Sequence, residues 1–457
     1  MSSTIKRNKY EIDMCNGTIM DKLISFSLPL MLSGILQLMF NAVDIIVIGR
    51  FSGSQSLAAV GSTTALINMF TNLFIGISLG ANVLSARFYA AGKDKEMSET
   101  VHTAITLALI SGIIMVFVGL IFAKPVLELM DTPDDVINLS TLYMRIYFMG
   151  MPFFMLYNYG ASILRAVGDT KRPLFYLIVA GIANAGLNMC LVIIFHLGVA
   201  GVAIGTVISQ LISSILVLRC LYQSETSYQL RFLKLKIQKE YLKQIFQVGI
   251  PAGIQSTVIN FSNVLLQSSV NSFGSIAMAG YTAANNIFGF LYVTVNAVTQ
   301  ACMSFTSQNY GVGKWKRMDR VLIDCLILSF VAMMILGNSA YFFGPKLLTI
   351  YTSNSKVIQC GMEILLYTTV TYFLCGFMDL FPGALRGMGR SGVPMILSII
   401  GTVGTRIVWI FWIFPNHRSL DILFISYPAS WIITIVLQVI CYYFVRKQLY
   451  AKMRAEA

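Results

Sequence analysis

Asp44 stands in "FNAVDIIVIGR", residues 40–50, a run that is otherwise almost wholly apolar. Arg50 lies six positions on, away from the i+3 and i+4 positions that share a helical face. Further along, Asn184 and Asn188 are four apart and so fall on one face of a helix. Thr206 follows about six residues into the next apolar run, after the turn around Gly198. One carboxylate with amide and hydroxyl oxygens suits a transferable proton or a small hard cation. Asp44, Asn184, Asn188 and Thr206 are therefore read as an ion-coupling site for H⁺ or Na⁺, with Na⁺ the one metal they could hold. Two more charges sit in apolar surroundings, Asp379 in "CGFMDLFPGALRGMG" and Arg406 in "GTVGTRIVWIFW". They are expected either to form a buried ion pair or each to face a cleft. Pro29, fifteen positions before Asp44, removes a helical hydrogen bond and kinks its segment. No Asp/Asp, His/Glu or Ser/His pair lies at matching depth, so no catalytic site and no enzyme is expected. The absence of GxxxxGK[ST] excludes an ATP-driven pump on this chain.

The elements that must position these residues are long apolar segments. The chain of 457 residues is 56% hydrophobic and 12% charged, which a soluble domain rarely matches. Twelve spans are expected, over 21–49, 57–85, 99–122, 136–163, 173–195, 200–222, 244–271, 276–307, 320–343, 357–384, 394–414 and 421–445. Each can cross a hydrocarbon core about 30 Å thick, and the runs are continuous rather than the short alternating strands of a barrel. The fold class is thus an all-α integral membrane protein. A charge inside such a span costs several kcal/mol, so it signals function. Asp44 lies roughly 9 Å from the outer end of its span at 1.5 Å per residue.

The net charge of +13 could point to nucleic acid, but its placement argues otherwise. With the N-terminus inside, the inner segments hold 26 of the 33 Lys and Arg residues, the positive-inside bias. Both termini are expected in the cytoplasm, and the protein in a plasma or inner membrane. Residues 1–20 show no cleavable signal pattern, so the first span is expected to act as its own insertion signal. The eight Cys include no CxxC pair, so disulfides and metal clusters are not expected. His102, His196 and His417 are scattered near span ends, and no function is assigned to them.

The chain also repeats itself at an offset of 221 residues. "RAVGDTKRP" (165–173) matches "RGMGRSGVP" (386–394), and "SARFYAAGK" (85–93) matches "TSQNYGVGK" (306–314). Pro29 and Pro251 align to within one residue. Six spans per half is an even number, so the copies share one orientation and form two lobes related by a pseudo-two-fold axis, with a cleft between them. The lobes are read as 1–222 and 244–457. The linker 223–243, "QSETSYQLRFLKLKIQKEYLK", is basic and amphipathic, a connector at headgroup level.

These segments resemble a known family. "LPLMLSGILQLMFNAVDIIVIGRFSGSQSLAAVG", "FYAAGK", "LRAVGDTKRP", "QNYGVGK" and "LRGMGRSGVP" are similar to the recurring signatures of MATE (multidrug and toxic compound extrusion) transporters, in the expected order from about residue 17 to 445. The resemblance implies a twelve-helix antiporter that exports organic compounds against H⁺ or Na⁺ flow, with no other cofactor. It also implies a proline at position 29 whose helix bends as the acid is protonated. The family's fifth span reads Asn, three residues, Asp, whereas this chain has Asn184 and Asn188. The missing second carboxylate weakens a Na⁺ site and tilts the reading toward H⁺.

Applying the offset supplies an internal control. Asp44 maps to Leu265, Asn188 to Trp409 and Thr206 to Tyr427, while Asp379 and Arg406 map back to Asn158 and Ala185. The two lobes are not chemically equivalent. For the substrate, the first, second, seventh and eighth spans are expected to line the cleft with Gln37, Asn41, Asn68, Asn72, Gln255, Asn260, Asn263 and Asn285. Met39, Met69 and Phe70 lie among them. Such an amide-, Met- and aromatic-rich surface accepts varied amphipathic molecules, organic cations in particular. The expected partners are a small organic substrate and the lipid bilayer, with the chain acting as a monomer. The alternative is a flippase for lipid-linked oligosaccharide, which would favour a strongly cationic cleft. The clear cations within the spans, away from their ends, are only Arg145 and Arg406.

Overall fold

The computed structural model describes residues 8–130 and 132–456. They form helices and short helical turns, with no strand among the described residues. The first half runs through α1 (Met20–Phe51), α2 (Gly53–Ala90), α3 (Asp94–Leu129), α4 (Asp134–Met149), α5 (Met151–Ala166), α6 (Lys171–Met189) and α7 (Gly198–Tyr222). The second half runs through α8 (Lys239–Asn271), α9 (Ser275–Gly311), α10 (Trp315–Phe342), α11 (Gly344–Thr349), α12 (Ser355–Thr369), α13 (Tyr372–Gly387), α14 (Gly392–Ser398), α15 (Thr405–Val408) and α16 (Leu420–Glu456).

Among the described residues, nine helical segments are long and apolar enough to cross a membrane, and the bent pair α12–α13 makes ten. The remaining two of the twelve spans are α4–α5, which continue one another through Gly150, and α8. Both are diluted by polar and charged residues. Asp134, Asp135 and Arg145 lie on α4, and Gln255, Asn260, Ser262, Asn263 and Gln267 on α8. The chain is a multi-pass helical membrane protein.

Two compact units emerge, Met1–Asp13 with Leu28–Gly253, and Met14–Ser27 with Ile254–Ala457. In α1 and in α8 the change of unit falls two residues from a proline, Pro29 and Pro251 respectively. At the first, the Ser33 hydroxyl donates back to the Pro29 carbonyl at 2.8 Å, four residues before it in the same helix. Each unit has its own apolar core. In the first, fully buried Phe148, Met151, Met155, Tyr159, Ile163 and Leu164 lie among α3–α7. In the second, Leu266, Tyr281, Phe288, Ile364, Leu365, Phe424 and Trp431 do the same.

Within the first unit α2 and α8 meet backbone to backbone. Gly76 and Gly80 of α2 face Gly249 and Gly253 of α8, and a Cβ on Gly249 would lie 2.5 Å from the Ile77 Cα. Small residues four apart on both partners allow this approach.

The connection after α7 is a docked segment rather than a free connector. Its Arg231 N–H donates to His102 Nε2 at 3.1 Å and its Gln238 N–H to Thr103 Oγ1 at 3.1 Å. Tyr228 is fully buried and donates to Glu11 Oε1 at 2.6 Å. His102, to which the sequence assigned no role, therefore holds the linker on α3.

Candidate functional site

Two features bring α1 against α6. Phe40 on α1 lies over Gly181 on α6, where a Cβ would overlap its ring. One turn further along α1 and two turns further along α6, Asp44 meets Asn188, whose Nδ2 donates to Asp44 Oδ1 at 2.5 Å. The same Nδ2 reaches Asn184 Oδ1 at 3.3 Å, and Asn184 Nδ2 reaches Thr206 Oγ1 on α7 at 3.4 Å. Thr206 joins the Asp44 cluster through Asn184. The structure thus gathers all four residues of the expected ion site. Gly205 makes room for the arrangement, because a Cβ there would strike Asn188 Oδ1. Immediately after Asn188 the helix widens into a π turn, Cys190–Ile194, a feature common at functional positions in helices.

Asp44 is 9% exposed, and Asn184 and Asn188 are buried with it. No basic side chain forms an ion pair with Asp44 among the described residues. Arg50 and Arg145 are both exposed. Asn188 Oδ1 is buried without a hydrogen-bond partner among the described residues, an acceptor oxygen beside a carboxylate. Unsatisfied buried acceptors are uncommon and call for an explanation.

Asp44 lines a cavity of about 290 Å³ inside the first unit. Asp44, Thr71 and Asn184 line its buried part, while Gln37, Asn41 and Asn68 line it from exposed positions. Asn72 belongs to the same wall. Four residues expected in a cleft between lobes thus share one cavity with the acid. Tyr143, Tyr147, Tyr157, Ser209, Gln210 and Ser213 complete it, and sequence reasoning did not single them out. The tyrosines read as ordinary core positions of α4 and α5. Gln210 carried a signal, standing four residues beyond Thr206 on the same face of α7.

The other expected cleft residues lie apart from this cavity. Gln255 accepts from Arg386 Nη2 at 2.6 Å, and Asn263 Oδ1 accepts from Arg406 Nη1 at 2.7 Å. Asn260 and Asn285 are exposed. Asp379 and Arg406 make no ion pair with each other among the described residues. Arg386 lies seven positions along the same helix, α13, and forms no ion pair with Asp379 among the described residues. No cluster of three His, Cys, Asp or Glu side chains suited to a metal occurs among the described residues.

The family profile MatE matches residues 29–190 and again 251–412, two copies in the register of the 221-residue repeat. A "Probable multidrug resistance protein YoeA" of Bacillus subtilis (strain 168) is 30% identical over 434 residues, 93% of this chain and 93% of that protein. The "Multidrug export protein MepA" of Staphylococcus aureus (strain NCTC 8325 / PS 47) is 23% identical over 380 residues, 83% of this chain and 84% of its own. Among solved structures, an "Outward-facing conformation of a multidrug resistance MATE family transporter of the MOP superfamily" superposes with a TM-score of 0.89 at 20% identity. That match covers 98% of this chain and all of the other.

Proposed function

This chain belongs to the MatE family, and from that premise we propose that it is a secondary antiporter. It exports amphipathic organic compounds, organic cations above all, in exchange for an inward-moving ion bound at Asp44. The observation that supports this most is the pairing of Asp44, a lining residue of a first-unit cavity, with Asn188, and with no ion-paired base among the described residues. A carboxylate taken out of water without a counter-charge is costly. It gains from taking up a proton, or a cation that Asn188 Oδ1 and Thr206 Oγ1 can also coordinate. The substrate enters this reading through the exposed amides Gln37, Asn41 and Asn68 of the same cavity. Bound ion and substrate then favour different conformations of one protein, which is the thermodynamic content of exchange. Two related names, multidrug resistance and multidrug export proteins, support the substrate class.

With a single carboxylate and an amide at 188, H⁺ is the favoured ion. Purified protein in liposomes loaded with a fluorescent organic cation should release it when a proton gradient is imposed, and less when a sodium gradient of equal size is imposed. Release that neither gradient changes would end the antiporter reading. Asn188→Asp adds the second carboxylate, doubling the negative charge available to a hard cation. The variant should show a larger share of sodium-driven release than the parent protein. An unchanged sodium share would place position 188 outside the ion site.

A further inference from the structure

The internal repeat places a second polar junction between the corresponding helices of the second unit, with the opposite sign of charge. In the first unit, Asp44 of α1 meets Asn188 of α6. In the second, α8 corresponds to α1, and the helix of Arg406 corresponds to α6. Arg406 Nη1 donates to Asn263 Oδ1 at 2.7 Å and to Ser262 Oγ at 3.3 Å, both on α8. At the 221-residue offset, Ser262 and Asn263 match Asn41 and Ala42, within three positions of Asp44. Arg406 matches Ala185, next to Asn184. The guanidinium also lies 4.7 Å from the Tyr427 ring centroid, and the Tyr427 hydroxyl is 2.9 Å from that of Tyr281. Tyr427 in turn matches Thr206.

Arg406 is 3% exposed and forms no ion pair with a carboxylate among the described residues. Its Nε–H is buried without an acceptor among them. The segment carrying it is built for the purpose, since π turns at Ile399–Gly404 and Trp409–Ile413 bracket the four residues of α15. An arginine buried in a span is held by an aromatic face and neutral oxygens only when something else demands its charge.

We propose that Arg406 is a tethered cation. It occupies, in the second unit, the junction at which the first unit offers Asp44 to a mobile ion, so the second unit takes no ion of its own and coupling rests on Asp44 alone. Asp379 forms no ion pair with Arg406 among the described residues. The inference rests on the antiporter reading and extends it to the division of labour between the two halves.

The test uses the full-length protein in liposomes, with Arg406→Ala, Arg406→Met and Arg406→Lys compared with the parent. Arg406→Ala should lose about tenfold or more of its gradient-driven efflux, because Asn263 Oδ1 and Ser262 Oγ then lose their donor. Millimolar guanidinium should restore it, whereas added sodium or potassium should not. Guanidinium should leave the parent protein unchanged. Arg406→Met fills the space without a charge and should stay inactive with or without guanidinium. Arg406→Lys keeps a charge and should transport several times faster than Arg406→Met. Equal rates for the Met and Lys variants, or an alanine variant that folds and is not rescued, would overturn the proposal. Normal transport by Arg406→Met together with loss in Asp44→Asn would sink this inference while leaving the antiporter reading intact. Normal coupled transport by Asp44→Asn would remove both.

Discussion

Asp44→Asn should reduce gradient-driven efflux to that of protein-free liposomes while the protein still purifies as a monodisperse species. The amide is close to isosteric with the carboxylate, and its oxygen can still accept from Asn188 Nδ2, so the α1–α6 contact survives. What disappears is the only acid in the cavity and with it any difference in ion affinity between conformations. An ion that binds two states equally shifts neither, however steep its gradient. Folding should not suffer, because a carboxylate with no ion-paired base is a liability in a low-dielectric surrounding. Measured side by side, efflux rate should collapse and melting temperature should stay level or rise. A fall in both would mean that Asp44 is structural.

Gly80→Leu should be the most damaging packing change in the first unit. A Cβ at Gly80 would run into the Ile245 carbonyl and lie 3.1 Å from the Gly249 amide nitrogen. Its neighbours are therefore backbone, which cannot swing aside as a side chain would. Overpacking in a close-packed interior costs typically about 1–3 kcal/mol, and contact with main chain places this substitution at the upper end. The expected readout is a melting temperature several degrees lower, or failure to recover folded protein. Gly61 lies on the same helix with nothing within 4 Å of its would-be Cβ. Gly61→Leu should therefore melt close to the parent, and a similar fall in both variants would count against the α2–α8 contact.

Much of this architecture is legible in the sequence because lipid imposes a simple rule. Apolar runs of span length must become helices, and the repeat then fixes how many belong to each half. Asp44, Asn184, Asn188 and Thr206 could be grouped from depth and helical spacing alone. The cavity around them was less legible. Tyr143 and Tyr147 follow the same periodicity as residues that merely fill a core, and nothing local marks their hydroxyls as lining a polar space. Gln37, Asn41, Asn68 and Asn72 read as one cleft with Gln255 and Asn263, yet the first four line the Asp44 cavity. The latter two serve as acceptors for arginines 131 and 143 positions away. Such long-range pairings leave no trace in local spacing. Asp379 and Arg406, which the sequence offered as a possible pair, form no ion pair with each other among the described residues. The change of compact unit beside Pro29 and Pro251 was also hidden, although both prolines were visible as interruptions.

The most direct test of the account follows the ion rather than the substrate. Liposomes carrying the protein and a trapped pH dye, with no ion gradient imposed, are given an outward gradient of organic cation. Protons should move inward as the substrate leaves, in the parent protein and not in Asp44→Asn. Inward proton movement of equal size in the Asp44→Asn protein would contradict the assignment of Asp44 as the coupling site.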